Sequence, residues 1–347
     1  MLDALGARVS AVTWLGRAGG LEARLMAERG VPFRPVATGP IVGAGSLRAL
    51  ANAGRMAAGT VSAARAMRAG SPDVVFVTGG YVSVPAALAA RLAGVPLAVY
   101  LPDVRPGRAV AAIARIADRV LVTHDAARAH LPTGRTTTTG YPVRPVVRNA
   151  DRAEARQRLG LAPDDRMLLV FGGSQGARRL NEAVAGAAAR LAARCTILHV
   201  AGPRGAQAAL DRRAALSASA RARYRVAPYL EGAAMGEALA AADLVVCRAG
   251  ASVLGELPAR GLPAILVPLP ISGGHQWPNA RVLRDAGAAV IVPDAELDAD
   301  RLVAEVAARI GAPAHLNAMR RASAALDRPD AAEAIGRALL ALAGRAA

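Results

Sequence analysis

Short apolar runs alternate with alanine-rich stretches along this chain, and no other feature of the sequence constrains the fold more. The runs have the length of buried strands, and many of the stretches between them have the length of helices. Because strands and helices alternate across short loops, we predict parallel sheets with right-handed crossovers, the α/β class. The predicted strands are Arg8–Leu15, Val31–Val36, Val74–Val77, Pro96–Leu101, Arg119–Thr123, Met167–Phe171, Cys195–Val200, Tyr224–Ala227, Leu244–Cys247, Ala264–Val267 and Ala288–Val292. The clearest helices are Leu21–Arg29, Leu47–Arg68 and Val84–Ala93.

The alternation is interrupted once, at Gly140–Pro145, where two prolines forbid a continuing helix. With 347 residues, the chain is long enough for two domains of ordinary size. We therefore predict a first domain over residues 1–145, a second over 151–328 and a final helix within 330–347. Only 3% of the residues are aromatic, so the core must consist of Ala, Val, Leu and Ile, which suits sheets covered by helices.

The formal net charge of +17 comes entirely from arginine, since the sequence contains no lysine. The arginines are scattered and aromatic residues are few, so we predict no nucleic-acid partner. The basic surface is interpreted either as one that meets anionic lipid headgroups or as a merely solvated one. In Ser46–Arg68, apolar residues interleave with arginines. This pattern suits an interfacial helix; the alternative is a helix packed on its own sheet.

No apolar run of the sequence is long enough to span a bilayer and no signal peptide is found, so a soluble or peripheral protein is expected. Cys195 and Cys247 both lie in predicted strands. They are interpreted as buried free thiols of a reducing cytoplasm. No cysteine spacing fits a metal site. Neither a metal nor a cofactor is predicted.

The sharpest motif lies in Leu168–Arg178, where a buried strand ends in Gly172-Gly173-Ser174-Gln175-Gly176 and a helix follows. Glycines let a ligand approach the backbone closely. The amino end of the helix offers unpaired N–H groups and a positive dipole to a diphosphate, and Ser174 adds a hydroxyl donor. The pattern indicates phosphate binding, or otherwise an ordinary strand–helix turn.

A second motif runs from Cys247 to Glu256, again from a strand into a helix. We predict that Glu256 lies about two turns into that helix. A carboxylate there can accept hydrogen bonds from the vicinal hydroxyls of a ribose, as the acidic residue of dinucleotide sites does. The alternative is a surface glutamate on an ordinary helix.

The third motif, Pro268–Asn279, leads from a strand into a helix that carries Gln276 and Asn279 on one face. Their amides can bond sugar hydroxyls, or they can cap the helix and bond the loop. Ligands of open α/β sheets bind at the carboxyl ends of the strands. Since all three motifs follow strands of one domain, we predict that they form one site.

Taken in order, five segments of the chain match a known family: Gly79–Ser83, Gly140–Arg144, the Ser174 loop, Arg248–Glu256, and Gln276 with Asn279. On these residues the chain resembles the MurG family, the bacterial transferases that add N-acetylglucosamine to lipid I to make lipid II. The resemblance implies a GT-B fold, with two Rossmann-like doubly wound domains facing across a cleft. It also implies UDP-N-acetylglucosamine as donor, and as acceptor the 4-hydroxyl of the muramyl sugar of undecaprenyl-linked lipid I, attacked with inversion. The expected location is peripheral, on the cytoplasmic face of the cell membrane.

The resemblance also assigns roles to single residues. Ser174 and Arg144 would serve the diphosphate, and the Leu230 backbone would recognise uracil. Gln276 and Asn279 would hold the sugar hydroxyls. The nucleotide would be lined by Ala251, Ser252, Val253, Leu254, Gly255 and Glu256, with Glu256 on the ribose. Such folds need no metal on the diphosphate, since a helix N-terminus and Arg144 would stabilise the leaving UDP.

The chain departs from the family pattern on the acceptor side. The family's His-Glu-Gln-Asn segment reads Tyr100-Leu101-Pro102-Asp103, so Asp103 is a candidate polar contact and a candidate general base. The family's first glycine-rich loop, with its histidine, has no counterpart. Met1–Gly6 has the pattern of a helix end that leads into the first predicted strand. We therefore expect the first domain to lack its central strand and that loop, through an N-terminally incomplete chain.

Two histidines bear on the donor half. His199 ends a predicted strand and is expected to be structural, while His275 lies near the sugar motif and could bond a hydroxyl. Three alternatives to the family function stay open. These are a related GT-B glycolipid glycosyltransferase, a non-catalytic UDP-sugar-binding remnant and, without a dinucleotide fingerprint to support it, an oxidoreductase.

Overall fold

The structure is a computed structural model that describes residues 2–39, 46–173, 177–270 and 274–344. The chain divides into two compact units. The first unit comprises Met1–Gly140 together with Asp330–Ala347, and the second comprises Tyr141–Pro329. The chain thus passes from one unit to the other at the start of the proline-containing segment Gly140–Pro145.

The first unit contains short parallel strands joined by helices. Its helices are α1 (Leu2–Leu5), α2 (Leu21–Glu28), α3 (Ser46–Gly70), α4 (Ser83–Ala93) and α5 (Arg108–Ile116). Its strands are β1 (Trp14–Gly16), β2 (Phe33–Pro35), β3 (Val75–Val77), β4 (Leu97–Leu101), β5 (Arg119–Val122) and β6 (Thr136–Thr138). One sheet has the order β3-β4-β5-β6, and β1 pairs with β2 in a separate sheet. All of these pairs are parallel.

The second unit contains one parallel sheet of order β12-β11-β10-β7-β8-β9. Its strands are β7 (Met167–Phe171), β8 (Thr196–Val200), β9 (Tyr224–Ala227), β10 (Leu244–Cys247), β11 (Ala264–Leu266) and β12 (Ala289–Ile291). Its helices are α6 (Pro145–Arg148), α7 (Arg152–Arg158), α8 (Arg178–Ala192), α9 (Ala206–Ala214), α10 (Ala218–Arg223), α11 (Gly232–Ala241), α12 (Val253–Ala259), α13 (Gln276–Asp285), α14 (Ala299–Ile310) and α15 (Pro313–Ala324). The last helix of the chain, α16 (Ala331–Leu342), belongs to the first unit.

This strand order is that of a doubly wound sheet. The first strand of the unit, β7, lies in the middle, with β8 on one side and β10 on the other. The order therefore reverses between β7 and β10, and at such a switch point the loops that leave the two strands diverge and open a crevice. The predictions of β7, β9 and β10 are confirmed residue for residue.

The first unit differs most from the predicted strands at two places. The prediction of a strand over Arg8–Leu15 is wrong in its bounds, because Gly6–Arg8 forms a single 3-10 turn and only Trp14–Gly16 pairs with a neighbour. The strand Thr136–Thr138 was not predicted, because three threonines do not make an apolar run.

Each unit has its own core. In the first unit, Val99 of β4 packs with Ala86 and Ala90 of α4 on one face of the sheet. Tyr100 packs with Ile335 of α16 in a smaller cluster. The second core covers β7, β8 and β10 with α8 and α14. Strands buried on both faces are apolar throughout, which explains why these runs were recognisable in the sequence.

Helix α3 has both buried and exposed apolar side chains, so it is not simply an interfacial helix. Ala63 and Met67 are buried in the first core, so the helix packs on its own unit. Leu50 and Val61 of the same helix are exposed. The side chains of Leu47 and Arg48 lie outside the described residues. Within the part of the chain that the structure describes, no helix combines the length and the apolar character needed to cross a membrane.

Candidate functional site

Two of the predicted motifs leave neighbouring strands of the second sheet. Gly172 and Gly173 follow β7, and Arg248–Ser252 follow β10. Cys247 is the register partner of Phe171, so the two exits lie side by side at the switch point. The residues after β11 lead into α13 at the same edge, since Leu266 is paired with Cys247. The structure thus brings the described parts of the three motifs to one edge of one sheet.

Glu256 lies in the first turn of α12, which begins at Val253. The expected position two turns into the helix is therefore corrected to one, because the residues after Gly250 make a turn before the helix starts. The Glu256 side chain is 12% exposed and accepts a hydrogen bond of 3.1 Å from Nη2 of Arg144, whose side chain is 52% exposed. The structure therefore joins the residues predicted for the ribose and for the diphosphate.

The backbone of Arg144 is held independently of its side chain. Arg144 is the N-cap of α6, where Pro145 presets the helical φ angle. Arg148, at the other end of α6, makes a bidentate pair with Asp327 at 2.7 and 2.9 Å. Gly236 of α11 has no Cβ, which leaves room for the Val146 carbonyl. The backbone of Arg144 is thus fixed while its guanidinium stays half exposed.

The turn before Glu256 presents mainly backbone to a ligand. The side chains of Val253 and Leu254 are buried, and Ala251 and Ser252 are half-buried. A Cβ on Gly255 would lie 2.6 Å from Cβ of Tyr141. Only glycine therefore allows the first turn of α12 to pack directly on Tyr141.

Gln276 and Asn279 tie the exits of β10 and β11 together. Oε1 of Gln276 accepts hydrogen bonds from the N–H groups of Ala249 at 3.2 Å and Leu269 at 2.8 Å. Nδ2 of Asn279, a fully buried residue, donates to the Ala249 carbonyl at 3.1 Å. Both amides thus make loop bonds, the alternative to sugar contacts considered above.

Arg248 is the residue of this edge to which sequence reasoning gave no role. Its Nη1 lies 2.6 Å from Oδ1 of Asp294 and donates to the Val267 carbonyl at 3.1 Å. Oδ2 of Asp294 lies 3.3 Å from Nε of Arg179, in the first turn of α8. The link joins the exit of β10, the turn after β12 and the start of α8, so no local pattern could have indicated it.

The remaining predicted residues are more dispersed. Ser174 lies outside the described residues, as do Gln175 and Gly176. Leu230 is half-buried and follows β9 at the carboxyl edge of the second sheet. Asp103 is half-buried and follows β4 in the first unit.

Neither cysteine of the chain is disulfide-bonded. Cys195 and Cys247 are buried free thiols, as predicted. Burial raises the pKa of the Cys195 thiol to about 12, which keeps it protonated and unreactive. Among the residues with described positions, no three His, Cys, Asp or Glu side chains form a group that could hold a metal ion.

Both parts of the chain match domains of one enzyme family. Residues 1–122 match the glycosyltransferase family 28 N-terminal domain, and residues 167–335 match the glycosyltransferase family 28 C-terminal domain. A protein of Desulforudis audaxviator is 40% identical over 342 residues, which cover 96% of this chain and 90% of that protein. One of Mycobacterium avium is 41% identical over 343 residues, or 95% and 80% of the two chains. Each is named UDP-N-acetylglucosamine--N-acetylmuramyl-(pentapeptide) pyrophosphoryl-undecaprenol N-acetylglucosamine transferase.

A solved structure agrees with these relatives. The crystal structure of MurG from Acinetobacter baumannii superimposes with a TM-score of 0.76 at 27% identity, over 98% of this chain and 93% of that one. The likeness and the two α/β units confirm the predicted GT-B fold class. This chain belongs to the MurG family of glycosyltransferase family 28.

Proposed function

We propose that this chain transfers N-acetylglucosamine from UDP-N-acetylglucosamine to the 4-hydroxyl of the muramyl sugar of lipid I, with inversion at the anomeric carbon, to form lipid II. The observation that carries the proposal is the identity of about 40% over nearly the whole chain to relatives named for this transfer. Acceptor and donor enter as substrates, and the reaction supplies a precursor for peptidoglycan.

The donor is proposed to bind at the carboxyl edge of the second sheet. Glu256 accepts hydrogen bonds from the ribose, and the backbone of the turn Ala251–Gly255 lines the nucleotide. The Leu230 backbone recognises uracil. Gln276 acts at the sugar through its amide, and Asn279 by fixing the Ala249 carbonyl beside it. This assignment is supported by the position of these residues after β9, β10 and β11 of one sheet.

The departing UDP carries the developing negative charge of the reaction. Arg144, which is half exposed beside Glu256, would neutralise part of that charge. The amino end of α8, together with Ser174, would supply N–H and hydroxyl donors to the same phosphates. Asp103 is proposed as the acceptor-side residue that takes the proton of the attacking hydroxyl.

A transfer assay tests the function directly. The purified chain is incubated with lipid I in detergent and radiolabelled UDP-N-acetylglucosamine, and labelled lipid II is separated by chromatography. We expect label transfer from this donor and much less from UDP-glucose. The Arg144→Ala variant should lose most activity, whereas Arg158→Ala, at an exposed arginine paired with Glu154 and Glu237, should not. Absence of lipid II with the unaltered chain would contradict the proposal.

We further propose that the chain acts peripherally at the cytoplasmic face of the membrane, where lipid I is presented. Support comes from α3 and α4, which pack on each other and carry exposed apolar side chains. Leu50 is 73% exposed and Leu92 is 79% exposed, and Arg55 and Arg65 of α3 are also exposed. Apolar side chains with flanking arginines suit the surface of an anionic bilayer.

Vesicle sedimentation tests this location. We expect the chain to sediment with phosphatidylglycerol vesicles and much less with phosphatidylcholine vesicles. The double variant Leu50→Gln and Leu92→Gln should weaken binding. Leu210→Gln, at an exposed leucine of α9 in the second unit, is the matched control and should bind normally. Equal binding by both variants would exclude α3 and α4 as the contact.

A further inference from the structure

The first turn of α8 is fastened to the sheet by three hydrogen-bonded polar side chains, of which Asn181 is half-buried and His199 and Tyr224 are fully buried. Asn181 lies in that turn, and its Nδ2 donates to the Ala201 carbonyl at 2.8 Å. Its Oδ1 lies 3.0 Å from Nε2 of His199, and Nδ1 of His199 lies 2.8 Å from the Tyr224 hydroxyl. None of these residues has a place in the donor site described above.

The bonds of Asn181 determine which atoms donate and which accept in the hydrogen bonds that join Asn181, His199 and Tyr224. Because Nδ2 of Asn181 is the donor to a carbonyl, its Oδ1 must be the atom that faces His199. An amide oxygen only accepts, so Nε2 of His199 carries the ring proton. Nδ1 is then the acceptor for the Tyr224 hydroxyl. All three side chains are satisfied with His199 neutral and in one tautomer.

The location of His199 connects it to the donor loop. His199 lies on β8 and is the register partner of Val170 on β7, the strand that leads into Gly172 and Gly173. The residue is fully buried. A fully buried side chain with both ring nitrogens bonded has little freedom to shift. The His199 ring therefore fixes the position of the first turn of α8 relative to β8, the strand that pairs with β7.

Gly205 closes the space on the other side of Asn181. A Cβ at this position would collide with the Asn181 amide nitrogen and would lie 2.7 Å from the Ala201 oxygen. Its φ of −101° is open to any residue, so the close approach alone requires glycine. The Asn181 amide is thus confined between His199 and the Gly205 backbone.

The opposite side of the same turn is held more loosely. Arg179 bonds the Ala295 carbonyl at 3.4 Å and pairs with Asp294, but its side chain is 49% exposed. Half-exposed ion pairs contribute little because water screens them. The partly buried bonds of Asn181, one of them to the fully buried His199, are therefore the stronger constraint on where α8 begins.

We propose that His199 is a positioning residue for the donor diphosphate: through Asn181 it fixes the first turn of α8, whose amino end binds the phosphates. This inference rests on the proposed function. The N–H groups at a helix start act on an anion only at hydrogen-bonding distance. A shift of the turn by a fraction of an ångström therefore weakens phosphate binding and leaves the uridine contacts of β9 and β10 in place.

Binding of UDP and of uridine separates these contacts. His199→Phe keeps a ring and removes both hydrogen bonds, and Gly205→Ala displaces Asn181 without altering His199. For both variants we expect the Kd of UDP to rise about tenfold, close to the loss of one weak hydrogen bond to a charged group. The Kd of uridine should stay within about twofold, because the phosphates are absent from it. KM for UDP-N-acetylglucosamine should rise with the Kd of UDP.

Two further variants distinguish a specific effect on UDP binding from a general loss of stability. His199→Gln keeps an N–H that can reach Asn181, so it should restore UDP binding. Tyr224→Phe removes only the hydroxyl on the far side of the ring, so it should lower the melting temperature with little effect on UDP. Gly107→Ala, where a Cβ meets nothing within 4 Å, is the control for the glycine substitution.

The outcomes are distinguishable. If His199→Phe and Gly205→Ala bind UDP as tightly as the unaltered chain, or lose UDP and uridine equally, the positioning role is overturned. Failure of the unaltered chain to bind UDP overturns the proposed function instead.

Discussion

Arg144 donates a hydrogen bond of 3.1 Å to Oε1 of Glu256, across 112 positions of the sequence. The two residues have the roles of diphosphate and ribose contact in the proposed site, and the pairing makes the roles dependent on each other. A carboxylate has about four lone-pair positions on two oxygens. Glu256 can therefore keep Arg144 on one oxygen and accept from a ribose hydroxyl on the other. The ion pair orients the carboxylate without consuming its capacity to bind the nucleotide.

Removal of the Glu256 carboxylate should weaken binding of UDP by about 10- to 100-fold, the usual cost of unsatisfied polar groups. The specific test compares UDP with 2′,3′-dideoxy-UDP by calorimetry. The unaltered chain should bind the dideoxy compound less tightly, and Glu256→Ala should bind the two alike, since the partner of the hydroxyls is gone. If Glu256→Ala still discriminates between them as strongly, the ribose role is wrong. Glu237→Ala, at a half-buried glutamate of α11, should behave like the unaltered chain.

Much of the second unit could be predicted because its strands are apolar on both faces. Met167–Phe171, Tyr224–Ala227 and Leu244–Cys247 have the predicted bounds, and buried parallel strands are the elements that a run of apolar residues indicates best. The order of the motifs along the chain, combined with the rule that ligands bind at carboxyl ends, then placed the three loops at one edge.

The pairings within that edge were not predictable. Arg144 with Glu256, Arg248 with Asp294 and Asn181 with His199 each join residues from different loops or strands. Such contacts depend on how the helices pack, and periodicity carries no information about them. The strand at Trp14–Gly16 was misplaced for a related reason, since its bounds are set by its neighbour rather than by its own composition.

Substitution of Gly255 by alanine tests the packing that supports Glu256. The new Cβ would lie 2.6 Å from Cβ of Tyr141, a distance that requires one backbone to move. We expect a loss of about 1–3 kcal/mol in the free energy of unfolding, the usual cost of overpacking, together with weaker UDP binding. Gly250→Ala is the matched comparison, because a Cβ there meets nothing within 4 Å and stability should be unchanged. Equal stabilities of the two variants would contradict the tight contact.

Stability should fall as the pH is lowered from about 6.5 to about 4, partly because of His199. Burial lowers the pKa of His199 from 6.5 to about 4, while the unfolded chain keeps the ordinary value. In this window the unfolded state binds the extra proton, so acid favours unfolding. The contribution lost at pH 4 is roughly 3 kcal/mol, at about 1.4 kcal/mol per pH unit.

Urea unfolding of the unaltered chain and of His199→Gln at pH 7, 6, 5 and 4 measures this contribution. The variant has no group that titrates at this position, so its stability should fall less steeply over the window. Carboxylates elsewhere in the chain titrate equally in both proteins and cancel from the difference. Parallel curves would show that the imidazole is protonated in the folded protein as readily as in the unfolded one.

Asp243 of the second unit is a buried carboxylate surrounded by arginines. Its side chain is 2% exposed and lies 2.7 Å from Arg320 and 2.9 Å from Arg152. Arg156 and Arg166 approach it at 3.4 and 3.7 Å. Oδ2 also accepts from the Met167 N–H at 2.9 Å, at the start of β7. One carboxylate thus lies within 4 Å of four guanidinium groups and also bonds the start of the strand that leads to the glycine loop.

Asp243→Asn should therefore destabilise the chain by about 3 kcal/mol, near the lower end for removal of one partner from a buried ion pair, because some of the arginines still reach water. Burial and the neighbouring arginines already lower the pKa of Arg320, which shows how little solvent compensates it. Asp300→Asn is the matched control, since Asp300 is 85% exposed although it lies 2.6 Å from Arg190. Screening by water should keep that change within about 0.5 kcal/mol. Urea unfolding at pH 7 measures both, and a loss in Asp243→Asn no larger than in Asp300→Asn would show that the arginines are neutralised by other groups.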